Sequence, residues 1–453
     1  MGEVLFTIVT FLIAISVLIA IHEFGHFWVA KRLGVKVLRY SIGFGKPLWK
    51  KTAGADQTEY VVASLPLGGY VKMLDEREGE VAESERHRAF NQQHVWKRFA
   101  IVFAGPAFNF VFAFFAYWVV SVLGITGVKP IIGDIYKESP AALAGLERGM
   151  EIVAVDDRPT PIWDAVFQEA ILKLVDKETL VVTATDKYGI ERKFNLDISK
   201  LDLDKDTKQL FKALGIKRYQ QPVPPIIGKV IENNPAALAG IKKDDRIIAI
   251  DNIKMNSWQE VADYIRVKPG EKLRFKIERN GNQEDIELIA GSVDIDGEII
   301  GRAGFINKPV PLDESLKAIQ RLGFWEAIPY SVDKTWNMSI MTLKLLGKIL
   351  IGDVSVKNIS GPLNIAVVVG KSADLGLVYF LTVMAVVSVS LGVLNLLPVP
   401  VLDGGHLLFY VVEMVKGSPV SETIEALAQR FGIALLLMLM LLALYNDIMR
   451  FVQ

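Results

Sequence analysis

The sequence predicts a polytopic α-helical membrane protein with four transmembrane helices, a membrane-associated β-hairpin loop and two small α+β domains outside the membrane. Four apolar segments are each long enough to cross about 30 Å of hydrocarbon. An internal repeat lies between the second segment and the third. Hydrophobic residues make up 51% of the chain although 23% of its residues are charged, a mixture that is typical of membrane segments joined to soluble domains.

The spans follow from the hydropathy of the chain. The apolar segments run from Val4 to about Ala30, Phe99 to Ile125, Leu375 to Leu397 and Phe431 to about Tyr445, and we assign spans to residues 1–30, 99–125, 375–405 and 431–450. The connection 31–98 carries Lys and Arg next to both span ends, so the positive-inside rule places it in the cytoplasm. The loop 406–430 is then also cytoplasmic, and both termini and the long insert lie in the periplasm of a bacterium whose inner membrane holds the spans.

Residues 309–374 form a separate region before the third span. A fifth span from Trp336 to Ile351 is possible by length, but Lys344 and Lys348 interrupt it and its apolar residues recur with helical spacing. We therefore predict an amphipathic helix that lies at the membrane surface.

The insert contains a tandem repeat with a constant offset of 95 residues. Pro130-Ile-Ile-Gly133 returns as Pro225-Ile-Ile-Gly228, and Ser139-Pro-Ala-Ala-Leu-Ala-Gly145 returns as Asn234-Pro-Ala-Ala-Leu-Ala-Gly240. Each copy has the pattern of a short strand, a helix that begins at proline, a glycine turn and a β-branched strand. We assign two PDZ-like domains to 127–200 and 222–308, with a charged linker at 201–221. Such domains bind an extended peptide by strand addition, or they serve here as rigid spacers that bind none.

The first span ends with a metal-binding motif, His22-Glu23-Phe24-Gly25-His26. A spacing of four residues puts His22 and His26 on one face of a helix, where both imidazoles can reach one metal ion, with Glu23 beside them as a general base. Two histidines and a glutamate are costly to hold in a membrane helix unless they bind something. The motif therefore predicts a metal site within the membrane.

Asp403 is the predicted third ligand, because catalytic zinc usually has three protein ligands and one open position. The topology brings Asp403 to the same side of the membrane as the two histidines. The alternative is that Asp403 is an ordinary turn residue, since Asp-Gly is a strong turn signal. The sixth residue after His26 is Arg32, which excludes a third histidine at metzincin spacing.

Other polar residues near the motifs are weaker candidates. His406 ranks below Asp403, and Asp56 and Glu59 lie in a polar stretch. Asn395 lies within the third span, where its amide either holds a substrate carbonyl or bridges helices. Pro398 and Pro400 end that helix and leave backbone groups that need a protein-lined or wet cavity.

Composition excludes several function classes. The chain has no cysteine, so thiol catalysis, thiolate zinc sites and disulfides are ruled out. Its formal net charge is zero, and no long basic run favours a nucleic-acid partner. No basic residue precedes the first apolar segment and no small-residue cleavage site ends it, so we predict no cleaved signal peptide.

The zinc motif in the first span, the tandem insert and the Asn-x-x-Pro-x-Pro-x-Leu-Asp-Gly motif that begins at Asn395 together resemble the site-2 protease family, of the bacterial regulator of sigma-E protease type. The resemblance covers nearly the whole chain. It implies a zinc metalloprotease that cuts within transmembrane segments. His22, His26 and Asp403 would be the zinc ligands, and Glu23 would be the catalytic glutamate. It also implies that Asn395, Pro398 and Pro400 contact the substrate.

The resemblance further implies a re-entrant β-loop after the first span that engages the substrate strand. Gly43-Phe-Gly45 and Tyr60 to Met73 are similar to this loop, and the stretch from Glu59 to Met73 is broken at Pro66-Leu-Gly68-Gly69 as in a hairpin. The implied substrates are single-span proteins already shortened on the periplasmic side, such as an anti-sigma factor or a remnant signal peptide. The PDZ pair would exclude bulky ectodomains.

Two other function classes remain open at this point. Intramembrane His and Asp also occur in zinc transporters and metal sensors, although these explain neither Glu23 nor the insert. A PDZ scaffold with a vestigial metal site is the third hypothesis. The sequence leaves open the physiological substrate, the cleavage position and the oligomeric state.

Overall fold

The computed structural model describes residues 2–176, 179–199, 201, 210–295, 298–356 and 359–452. In this part of the chain, four helices are long and apolar enough to cross a membrane by length and composition, which is the number that the sequence predicts. They are Gly2–Arg32, Val95–Leu123, Leu377–Asn395 and Glu422–Arg450.

The amino-terminal part packs two spans against one twisted β element. It consists of α1 (Gly2–Arg32), β1 (Val37–Ala53), β2 (Thr58–Met73), a 3-10 turn (Glu83–Arg88) and α2 (Val95–Leu123). The two helices touch through their backbones, because a Cβ at Gly25 would lie 2.3 Å from the carbonyl oxygen of Ala104. Glycine at this position therefore permits the close approach of α1 and α2.

The β element differs from the predicted hairpin. Tyr60 and Val71, from the two halves of β2, both lie opposite Tyr40 of β1, so the halves flank β1 and do not pair with each other. The hairpin turn lies between Ala53 and Thr58. The predicted pairing within Glu59–Met73 is wrong, because Pro66–Gly69 forms a bend that carries β2 across β1.

The insert consists of two domains built in the same way. From α2 the chain continues through β3 (Ile125–Val128) into β4 (Ile132–Ile135), α3 (Pro140–Ala144), β5 (Glu151–Val155), β6 (Arg158–Pro159), α4 (Trp163–Asp176), β7 (Leu180–Thr185), β8 (Glu191–Leu196), α5 (Leu210–Leu214) and β9 (Ile216–Arg218). The second copy has β10 (Ile227–Val230), α6 (Pro235–Leu238), β11 (Arg246–Ile250), β12 (Ile253–Lys254), α7 (Trp258–Arg266), β13 (Lys272–Arg279), β14 (Asn282–Ile289), β15 (Gly291–Ile295), β16 (Glu298–Arg302) and β17 (Phe305–Asn307).

The sheet orders support the duplication that the sequence predicts. The four-stranded sheets have the orders β6-β5-β7-β8 and β12-β11-β13-β14, and the small sheets pair β4 with β9 and β10 with β17. Each copy has its own hydrophobic core, with Trp163 in the first and Phe275 in the second. The two copies are therefore separate folding units.

The predicted linker at 201–221 is too long. Leu210, Leu214 and Ile216 are buried in the core of the first domain, and β9 pairs with β4. Residues 202–209 lie outside the described part of the chain. Charged residues lie on either side of this short apolar stretch, so the sequence pattern did not indicate β9.

The first and last strands around the insert pair with each other next to the membrane part. After a 3-10 turn (Glu314–Leu316), β18 (Lys317–Gln320) pairs antiparallel with β3, with Val128 opposite Lys317 and Ile125 opposite Gln320. This two-stranded ribbon joins the insert to α2 on one side and to the following helix on the other.

The helix predicted at the membrane surface lies elsewhere. It is α8 (Ala327–Ile351), and its Met338 and Leu346 pack in one cluster with Tyr117 of α2. The same cluster contains Val389 of the third span. The surface prediction is wrong because the apolar stripe of α8 packs along two spanning helices.

The carboxy-terminal part consists of α9 (Pro362–Asp374), α10 (Leu377–Asn395), α11 (Asp403–Lys416) and α12 (Glu422–Val452). The third span therefore ends at Asn395, before the predicted limit of 405, and most of the predicted loop 406–430 is helical. Pro398 and Pro400 follow the end of α10, as the sequence predicts. A Cβ at Gly404 would lie 2.2 Å from the carbonyl oxygen of Leu397, so glycine lets α11 fold back tightly onto the turn.

Candidate metal centre

Three side chains from two helices meet next to α2. His22 and His26 are one turn apart on α1, and Asp403 is the first residue of α11. Asp403 Oδ2 lies 3.1 Å from His22 Nε2 and 3.5 Å from His26 Nε2. The two Nε2 atoms are 3.3 Å apart. The two histidines are buried, with 9% and 8% of their surface exposed.

These separations fit a zinc ion. Zinc–nitrogen and zinc–carboxylate bonds are about 2.0–2.2 Å long, so two ligand atoms of a tetrahedral site lie about 3.3–3.5 Å apart. Asp403 Oδ2 is also buried without a hydrogen-bond partner among the described residues, although two imidazole nitrogens are close to it. A cation shared by the three atoms would satisfy this oxygen.

The electrostatics of Asp403 suit an anionic ligand. Burial by itself raises the pKa of the Asp403 carboxyl, but the imidazoles of His22 and His26 beside it lower the pKa more, and the net value lies well below the usual range. An ionised carboxylate is the form that binds a cation.

Helix α2 holds both imidazoles from behind. The Nδ1 atom of His26 lies 2.8 Å from the carbonyl oxygen of Ile101, and an Nδ1–H donor in this contact leaves Nε2 free to bind metal. The amide of Asn109 lies 3.1 Å from Nδ1 of His22. A Cβ at Gly105 would lie 2.3 Å from Nε2 of His26, so only glycine leaves room for the ring.

Sequence reasoning missed Gly25, Gly105 and Asn109. A usable signal was present, because Gly105-Pro106 interrupts an apolar span and Asn109 places an amide one helical turn later. Small and polar residues within a span mark close helix contacts and interhelical hydrogen bonds.

Glu23 lies beside the three ligand atoms at the wall of a cavity of 780 Å³. It is 9% exposed. The second half of β2 passes directly over it, because a Cβ at Gly69 would lie 2.8 Å from Glu23 Cγ. The cavity is lined by His22, Glu23, His26, Asp403 and the strand Gly69–Met73, and by His406 and Glu425 farther out.

The structure does not bring the other predicted site residues to this cavity. Asn395, Pro398 and Pro400 form the end of α10 and the turn before α11, and they are not among the described residues that line it. Gly43 and Gly45, with φ near +90°, lie at the bend of β1. Their proposed contacts with substrate stay predictions.

The rival acidic and histidine candidates have other contacts. Asp56 accepts a hydrogen bond of 2.6 Å from Arg88, and Glu59 accepts one of 2.8 Å from Arg39. His406 Nδ1 lies 3.9 Å from Glu425 Oε1. The first two pairs account for Asp56 and Glu59 without a metal, and His406 is not grouped with the three ligand atoms among the described residues.

Comparison with known proteins identifies the family. The model of peptidase family M50 matches residues 10–439. The regulator of sigma-E protease RseP of Salmonella typhimurium is 44% identical over 99% of this chain and all of its own length. The Escherichia coli protein of the same name is 44% identical over 98% of this chain and 99% of its own. A Vibrio cholerae protein whose name describes a zinc metalloprotease is 40% identical over 99% of this chain and all of its own.

Among solved structures, the PDZ domain of an SdrC-like protein from Listeria monocytogenes matches 20% of this chain and 93% of its own, at 22% identity and a TM-score of 0.17. This score is too low to support a fold assignment. The family match and the full-length relatives are decisive: the chain belongs to peptidase family M50, the site-2 proteases, and is a zinc metalloprotease.

Proposed function

We propose that this zinc metalloprotease cuts single-span membrane proteins within their transmembrane segments. His22, His26 and Asp403 hold the zinc ion, and Glu23 is the catalytic base. The observation that carries the proposal is the meeting of three ligand atoms, 3.1–3.5 Å apart, beside a buried glutamate at one end of an apolar helix. A site in this position acts on peptide bonds that soluble proteases do not reach.

The chemistry divides between the metal and Glu23. Zinc, when bound, polarises the scissile carbonyl and lowers the pKa of a bound water. The Glu23 carboxylate accepts a proton from the attacking water and donates it to the amide nitrogen that leaves. Glu23 is 9% exposed and lines the cavity beside the ligands, where a general base can face both the water and the substrate amide.

Replacing Asp403 by Ala tests the zinc site. We expect the purified protein to lose most of its zinc and all measurable cleavage of a transmembrane peptide, because two imidazoles alone bind zinc weakly. Zinc content and cleavage are measured on the same preparation. Asp56→Ala is the matched control, since Asp56 contacts Arg88 outside the cavity, and it should keep both. Full zinc content in Asp403→Ala would contradict the ligand assignment.

The substrate segment is held as a strand against β2. The amides of a helix are shielded by their own hydrogen bonds, so the substrate must unwind before it is cut. The N–H of Leu74 donates to Lys36 beside β1, and alternate residues of a strand direct their N–H and C=O groups to opposite edges. Val71 and Met73 therefore direct theirs to the cavity, where they have no strand partner among the described residues. An extended substrate can pair with this edge.

Val71→Pro tests this edge. Proline removes the N–H that faces the cavity but leaves the N–H groups of Tyr70 and Lys72, which face β1, so an edge position tolerates it. We expect zinc content to be unchanged and cleavage to fall at least 10-fold. Val71→Ala keeps the N–H and should cut at nearly the wild-type rate. An equal loss of cleavage in both variants would show that cleavage depends on the Val71 side chain and not on its backbone N–H.

The tandem domains limit access to the site. The first domain rests on α8, where Arg158 forms an ion pair of 2.9 Å with Asp333 and Lys334 donates a hydrogen bond of 2.8 Å to Gln168. The ribbon of β3 and β18 holds the whole insert at the outer ends of α2 and α8. A folded ectodomain on a substrate would collide with the insert, so trimmed substrates are preferred.

Removal of the insert tests whether the tandem domains act as a gate that excludes substrates with a folded ectodomain. Val128 and Lys317 are strand partners, so an Asn-Gly turn can join them in place of residues 129–316. We expect the shortened protein to keep its zinc and to cut an untrimmed substrate that the full chain leaves intact. The same deletion with Glu23→Gln shows whether the cut comes from this site. A shortened protein that still requires trimmed substrates would refute the gate.

The proposed setting follows from the charges and the relatives. Lys31 and Arg32 at the end of α1 and Lys97 and Arg98 at the start of α2 favour a metal site near the cytoplasmic side of the membrane, with both termini and the insert in the periplasm of a bacterial cell. Relatives named regulators of sigma-E protease support an anti-sigma factor as substrate, and remnant signal peptides have the same single-span form.

A further inference from the structure

Asn109 is a buried amide in the middle of a spanning helix. None of its surface is exposed, and its side chain lies 3.1 Å from Nδ1 of His22. Its backbone carbonyl accepts a hydrogen bond of 2.8 Å from Ser388 Oγ of α10. A polar amide at this depth is costly, so its position next to a ligand calls for an explanation.

The protonation of His22 decides which end of the amide faces it. A zinc-binding Nε2 carries no proton, so the proton of the neutral ring is on Nδ1. The amide nitrogen placed at 3.1 Å would then face this N–H as a second donor. Amide oxygen and nitrogen are interchangeable by a half-turn of the side chain, and the half-turn puts Oδ1 opposite Nδ1–H. As placed, Oδ1 has no partner among the described residues. The half-turn gives Oδ1 the Nδ1–H of His22 and leaves the amide nitrogen in the position that Oδ1 held.

We propose that Asn109 is a positioning residue: its Oδ1 accepts the Nδ1–H of His22 and thereby fixes Nε2 as the metal-binding atom. The inference rests on the proposed zinc site. Helix α2 then holds both ligands in the same way, with the carbonyl oxygen of Ile101 behind His26 and the side chain of Asn109 behind His22. Only the second of these acceptors can be removed by a side-chain substitution.

Asn109→Leu tests the proposal, because leucine has the same number of side-chain heavy atoms and the same branching at Cγ as asparagine but no acceptor. We expect zinc affinity of the purified full-length protein, measured by competition with a chromophoric chelator, to fall 10- to 100-fold. Zinc X-ray absorption should show fewer ordered imidazole ligands. Asn109→Asp keeps an acceptor and should bind zinc within a few-fold of wild type.

Ser388→Ala is the matched control. It removes the hydrogen bond to the Asn109 backbone and leaves the amide in place, so its zinc affinity should equal that of wild type. Wild-type affinity in Asn109→Leu, or an Asp variant as weak as the Leu variant, would overturn the proposal. Failure of the zinc site itself would differ, because Asp403→Ala would then also keep its metal.

Discussion

Glu23→Gln is expected to abolish cleavage and to leave zinc binding intact. Glutamine has the shape of glutamate but cannot accept a proton from water at neutral pH, and a general base contributes roughly 10²- to 10⁴-fold to the rate. His22, His26 and Asp403 keep their positions, because the three ligand atoms do not include Glu23. Zinc content and cleavage of a transmembrane peptide in detergent or vesicles are measured together.

The matched control for this prediction is Glu59→Gln. Glu59 pairs with Arg39 and lies outside the residues that line the cavity, so the variant should cut at the wild-type rate. The same experiment separates the protease from a zinc transporter, whose transport would survive the change at Glu23. Retained cleavage in Glu23→Gln would refute the mechanism.

Gly105→Ala is expected to abolish zinc binding, although alanine favours a helix more than glycine does. The new methyl group would lie 2.3 Å from His26 Nε2 and 2.9 Å from His22 Cε1. His26 cannot move away freely, because its Nδ1 is held by Ile101 and because Gly25 presses α1 against α2. We expect zinc affinity to fall at least 100-fold and cleavage to fall to background, as measured by chelator competition and peptide cleavage.

A fold control is available for this substitution. The three atoms nearest to the new methyl group all belong to the imidazole rings and none to the backbone. Alanine is also favoured over glycine in a helix by about 1 kcal/mol, so the zinc-free protein should stay folded. Gly347→Ala in α8 meets nothing within 4 Å and should keep both zinc and activity. Wild-type zinc affinity in Gly105→Ala would mean that α1 and α2 can separate.

The spans and the candidate site could be predicted because their signals are local or topological. Hydropathy alone locates four helices, and the positive-inside rule brings Asp403 to the histidines although more than 370 residues separate them. The helix spacing of His22 and His26 is a property of the motif itself.

The pairing of β2 could not be predicted in the same way. Both halves of β2 alternate as strands, and nothing in their residues indicates which neighbour each will have. Tyr60 and Val71 share one partner residue only because the chain bends at Pro66–Gly69 and returns to the other side of β1. Strand partners are decided by tertiary packing, which a single sequence does not reveal.

The place of α8 was missed for a related reason. An apolar stripe with lysines on the other side suits a membrane surface and a helix bundle equally well. The contact of Met338 with the cluster around Tyr117 decides between them, and it depends on α2 and α10 being adjacent.

The ribbon of β3 and β18 also bears on how the chain folds. Its last pair, Val128 and Lys317, closes a loop that contains both tandem domains. The entropy lost on closing a flexible loop grows only with the logarithm of its length, about 0.6 kcal/mol for each doubling. While the insert is still unfolded, a gain or loss of one domain would therefore hardly change the free energy of assembling α2 and α8. Membrane helices can assemble first, and the number of domains between them can vary in evolution with little effect on that assembly.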